Sequence, residues 1–71
     1  MPVIDVTLVE GRSAEALDDF VQALTEAAVS ALDAPRESVR VILREVKPNQ
    51  FAAGGVTIAQ RRALAESKTP S

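Results

Sequence analysis

At 71 residues, with 46% apolar and 25% charged side chains, the chain reads as one globular domain, and a domain this small removes only about 60% of its unfolded surface from water by itself. The absence of Cys and His excludes disulfides, thiolate chemistry, the commonest metal ligand and the commonest general base. A net charge of −2 and only two aromatic residues argue against a nucleic-acid partner, no apolar run approaches a membrane span, and the start MPVIDV lacks a secretory pattern, so a cytoplasmic protein is expected.

Residues 3–9, VIDVTLV, alternate in β-prone types and predict a first strand. Glu10-Gly11-Arg12 breaks it, and Ser13 stands where a helix N-cap belongs, with Glu15 in the first turn. Leu17, Phe20, Val21, Leu24, Ala28, Ala31 and Leu32 then step by three and four residues, giving a helix with one apolar face. Asp33-Ala34-Pro35 ends it, and residues 39–46, VRVILREV, predict a second strand. Its Val39, Val41 and Leu43 share one face, and Arg40, Ile42 and Arg44 the other. Strand, helix and strand make a right-handed β-α-β unit with parallel strands. After Lys47-Pro48-Asn49-Gln50, the stretch FAAGGVTI reads as a hairpin folded at Gly54-Gly55, and the remainder has weak helical character.

The expected fold is therefore a two-layer α+β domain spanning residues 1–71, with residues 63–71 as an extended tail. One helix covers one sheet face only, so the sheet is expected to be completed by oligomerisation. Charge agrees: residues 1–35 carry a net −6 and residues 36–71 a net +4, a division that suits self-association and equally describes a helix with an acidic solvated face.

Without His or Cys, a base working near neutral pH must be a perturbed carboxylate, a perturbed Lys or the α-amino group, whose ordinary pKa is about 7.7 to 8.0. Pro2 follows Met1; removal of Met1 would leave a secondary amine on a rigid ring. Proline also opens strands for structural reasons, since it lacks an N–H donor. Arg12, beside a helix N-terminus, opposes the dipole; next to free N–H groups it could hold a carboxylate or be an exposed turn residue without a role. Arg40 and Arg44 could be solvated, pair with a neighbour's acidic residues or bind an anion. Phe51 reads as a core plug or a substrate wall.

Pro2 after Met1, the strand ending in VEGRS, the long amphipathic helix, LDAPRESVRVILREV and a Phe before Gly-Gly together resemble the 4-oxalocrotonate tautomerase family over residues 2 to about 62. The resemblance implies β-α-β subunits with a hairpin, generally assembled as hexamers, that act without metal or cofactor; a homo-oligomer is expected, with hexamer ranked above dimer and homo- versus hetero-hexamer left open. It implies Pro2 as general base, Arg12 and Arg40 as binders of a small anionic substrate such as 2-hydroxymuconate, with Arg40 also stabilising the developing negative charge and coming from a neighbouring subunit. Phe51 matches the aromatic that lines the apolar pocket. Arg36 and Arg61 are expected to matter little, and Arg62 is left open. Dehalogenating relatives carry an acid just after the Phe51 position, where Ala52 and Ala53 stand here, which disfavours that chemistry. Decarboxylating relatives use an acid near the start of the second strand, which keeps Glu37 as an alternative. The rival from another class is a non-catalytic scaffold or partner subunit of a catalytic paralogue.

Overall fold

The computed structural model describes residues 2–68, with side chains to Glu66; Met1 and the last three residues of the tail lie outside the described residues. The order is β1 (Val3–Val9), α1 (Ala14–Leu32), a 3₁₀ turn (Arg36–Ser38), β2 (Arg40–Val46), a second 3₁₀ turn (Pro48–Gln50), β3 (Ala52–Ala53), β4 (Val56–Thr57) and α2 (Ile58–Lys68).

The β-α-β unit follows the alternation of its apolar residues. β1 and β2 pair in parallel from Val3↔Arg40 to Val9↔Val46, and the ladder runs on at both ends: Arg40 N donates to Pro2 O at 3.0 Å and Glu10 N to Val46 O at 2.8 Å. Ile4, Val6 and Leu8 with Val41 and Leu43 are half-buried and face α1, and Val9 and Val46 at the far end of the ladder are half-buried as well. Val3, Asp5, Thr7, Arg40, Ile42 and Arg44 form the open face, where Arg44 Nη2 meets Asp5 Oδ2 at 2.9 Å. Arg44 is thus paired within its own chain.

Both ends of α1 carry the expected signals. Ser13 Oγ accepts from Ala16 N at 3.1 Å, and Asp33 closes the helix in the left-handed region at φ 52° just before Ala34-Pro35. Two differences from the sequence expectation are seen. Ala31 and Leu32, expected on the packed face, are exposed, Leu32 by 64%, because two strands give the last turn nothing to cover it. The second strand starts at Arg40 rather than Val39, since the preceding 3₁₀ turn ends in Val39 N donating to Arg36 O.

The hairpin holds two residues per strand, with Gly54 and Gly55 at φ 59° and 81°; positive φ at both central positions is the turn type that matches strand twist. The weak helical signal of the C-terminus becomes an 11-residue helix beginning at Ile58, a residue read in sequence as part of the hairpin. Its start is a capping box: Thr57 Oγ1 accepts from Gln60 N at 3.0 Å and Gln60 Oε1 from Thr57 N at 2.8 Å. Much of the expected tail, Ala63–Lys68, continues this helix.

Ala28, 8% exposed, is the one buried residue among those described. The radius of gyration, 16.4 Å, exceeds the roughly 11 Å of a compact chain of this length. The surface, 5355 Å², exceeds the roughly 4,200 Å² of a folded monomer of this mass. A single copy has no closed core.

Candidate active site

Pro2 is half-buried at the start of β1. Strand alternation puts it on the helix-covered side with Ile4 and Val6, and the bond from Arg40 N to its carbonyl fixes its main chain. At the other end of β1, Arg12 enters an open apolar cavity of about 380 Å³ lined also by Val6, Leu8, Ala16 and Phe20. Its Nη1 donates to Val9 O at 3.0 Å.

The arginines divide by partner. Among the described residues, Arg36 pairs with Glu26 at 2.6 Å and Arg44 with Asp5 at 2.9 Å. Arg12, Arg40 and Arg61 reach main-chain carbonyls, those of Val9, Glu37 and Ala53. A guanidinium bound to one carbonyl keeps most of its donors for an anionic ligand. This difference has no sequence signal, because Arg40 and Arg44 lie on the same strand face. Glu37 sits exposed in the 3₁₀ turn before β2.

One chain does not gather these residues. Pro2 and Arg12 flank the 7-residue β1, which spans roughly 20 Å at about 3.3 Å per residue. Arg40 begins next to Pro2 through the backbone, but its side chain belongs to the open face. Phe51, 37% exposed, lies on the hairpin side, where its carbonyl accepts from Ile58 N at 2.9 Å. Among the described residues β1 pairs only with β2, which leaves its other edge open to a strand from a second copy.

The residue pattern and fold have counterparts among known proteins. The family model described as "Tautomerase enzyme" matches residues 2–66. A protein of Ralstonia nicotianae named "Probable tautomerase" is 54% identical over 56 residues, covering 79% of this chain and 80% of the relative. A structure from work on the 4-oxalocrotonate tautomerase isozymes of Methylibium petroleiphilum superposes with a TM-score of 0.86 at 38% identity, covering 89% of this chain and 98% of that one. A heterohexamer 4-oxalocrotonate tautomerase of Chloroflexus aurantiacus gives 0.81 at 38% identity, covering 84% and 97%. No described helix is long and apolar enough to cross a membrane. With its β-α-β unit, its hairpin and a matched segment reaching from Pro2 into α2, the chain belongs to the tautomerase family of enzymes.

Proposed function

We propose that this chain is a cofactor-independent tautomerase of small unsaturated 2-hydroxy or 2-oxo acids such as 2-hydroxymuconate, with Pro2 as general base once Met1 is removed. The observation that carries the reading is where two of the arginines without a carboxylate partner among the described residues stand, Arg12 beside an apolar cavity and Arg40 starting the strand next to Pro2. The neutral Pro2 nitrogen takes the proton of the enol hydroxyl, and the electron pair moves into the conjugated system as a dienolate. The same nitrogen returns the proton to carbon, so that base and atom count are restored. Arg12 and Arg40 hold the carboxylate and stabilise the oxyanion. Phe51 closes the apolar side.

In this reading the site forms between copies of a homohexamer. Arg12 reaches a Pro2 only from another chain, because β1 separates it from its own. Arg40, on the open sheet face, serves its own chain's Pro2 or one across that face. Intact-mass measurement and an ultraviolet ketonisation assay on the purified protein test the reading together: complete Met1 removal without turnover of any enol acid above the buffer rate contradicts it. A non-catalytic partner subunit is the second reading, favoured by the heterohexameric assembly of the Chloroflexus aurantiacus protein; it predicts assembly without turnover and indifference to replacing Pro2.

A further inference from the structure

The hairpin is too small to hold its own shape. β3 and β4 have two residues each, every residue from Phe51 to Gly55 is exposed, and an isolated two-stranded ribbon is marginal in water. Phe51 immediately precedes its first strand. Helix α2 supplies what the ladder lacks, because it begins directly after β4 and its start is rigidly set by the Thr57–Gln60 capping box.

From that fixed start, α2 holds the Phe51–Ala53 segment at two places. Ile58 N donates to Phe51 O at 2.9 Å, and one turn further on Arg61 Nη2 donates to Ala53 O at 3.3 Å, eight residues back in sequence. The first contact ties the main chain at the ring itself. The second ties the far end of the same arm, just before Gly54-Gly55, the pair with the most backbone freedom in the hairpin. The two-rung ladder Ala52↔Thr57 and Ala53↔Val56 is short, and the contacts from α2 add a hold at each end of the Phe51–Ala53 arm.

We propose that Arg61 is a positioning residue for the Phe51 ring: its guanidinium, by holding Ala53 O, sets the angle of the Phe51–Ala53 arm and with it the wall of the substrate pocket. The proposal rests on the reading of Phe51 as that wall, and it revises the sequence expectation that Arg61 matters little.

The test is a double-mutant cycle with Arg61→Ala and Phe51→Ala, with Arg61→Lys as the conservative variant, all in the full chain and checked for assembly by sedimentation. Arg61→Ala should lower kcat/KM for an enol acid by about three- to tenfold, the scale of one main-chain hydrogen bond, mostly through KM. Arg61→Lys should recover most of the loss. In the Phe51→Ala background, Arg61→Ala should change kcat/KM by less than about twofold, since coupled residues are not additive. Phe51 and Phe20 are the only phenylalanines, so carbon-13 ring signals identify Phe51 directly; they should shift in Arg61→Ala and return in Arg61→Lys. Equal losses in both backgrounds, or an unmoved Phe51 signal, overturn the proposal. If the parent protein turns over no enol acid, the tautomerase reading fails separately and the ring signal alone decides: shifted and restored supports the clamp, unmoved overturns it.

Discussion

The backbone N–H of Arg40 donates to the carbonyl of Pro2 at 3.0 Å, so the first rung of the parallel ladder joins the two residues with the strongest chemical case. The strand that carries a cationic side chain is thereby locked against the residue proposed as base. A secondary amine needs such a fixed main chain to aim its lone pair, and β1 alone, at the edge of a two-stranded sheet, would leave its first residue to fray.

Blocking the Pro2 nitrogen should remove activity without disturbing assembly. A chain with one Ala inserted before Pro2 converts the amine to an amide, and loss of a general base costs about 10²- to 10⁴-fold. Steady-state ketonisation kinetics with sedimentation as control read the result. Activity within tenfold of the parent would assign the base elsewhere.

Arg12→Ala and Arg40→Ala should each lose about 1.5 to 3 kcal/mol of transition-state binding, the range for hydrogen bonds to charged groups, or about ten- to more than a hundredfold in kcat/KM. Arg36→Ala and Arg44→Ala remove exposed ion pairs of the kind worth about 0 to 1 kcal/mol, and should leave kcat/KM near the parent value. An uncharged keto–enol substrate should erase the contrast.

The β-α-β unit was legible because β1, α1 and β2 each follow one period and have clear stops at Gly11 and Asp33-Ala34-Pro35. The hairpin turn was equally plain in Gly54-Gly55. Helix α2 was read only weakly, since Ile58 continues the β-like run Val56-Thr57 and the deciding signal, Thr57 with Gln60 three residues on, is a hydrogen-bond pair rather than a hydrophobic pattern. Among site residues, Pro2 and Arg12 stood out from position alone. The separation of Arg40 from Arg44 depended on which strand residue lies diagonally opposite: Asp5 reaches Arg44, a register effect invisible in one strand's spacing. That β1 itself keeps Arg12 from its own Pro2 required only strand length, yet it acquires meaning only once the free edge of β1 is seen.

Ile42→Asp should give a smaller species that has lost much of its helical signal. Ile42 is 43% exposed and Val3 58% exposed on the same open face, and each 100 Å² of apolar surface covered by a partner contributes about 2.5 kcal/mol. Sedimentation and far-ultraviolet circular dichroism check this; an intact helical hexamer would show that the face is not an interface.

The pH profile of kcat/KM should rise as Pro2 loses its proton, because the base acts in the neutral form. A profile flat from pH 5 to 9 would count against an amine base in this setting.

Complementation between two disabled chains tests the central claim most directly. Pro2→Ala and Arg12→Ala chains, each weak alone, are denatured together and refolded as mixed assemblies. If Arg12 serves the Pro2 of another copy across paired β1 edges, a mixed pair contains one site with both residues intact, and random mixing restores about a quarter of parent activity. If each Arg12 serves its own chain's Pro2, no mixture contains an intact site, and activity stays at the average of the two variants.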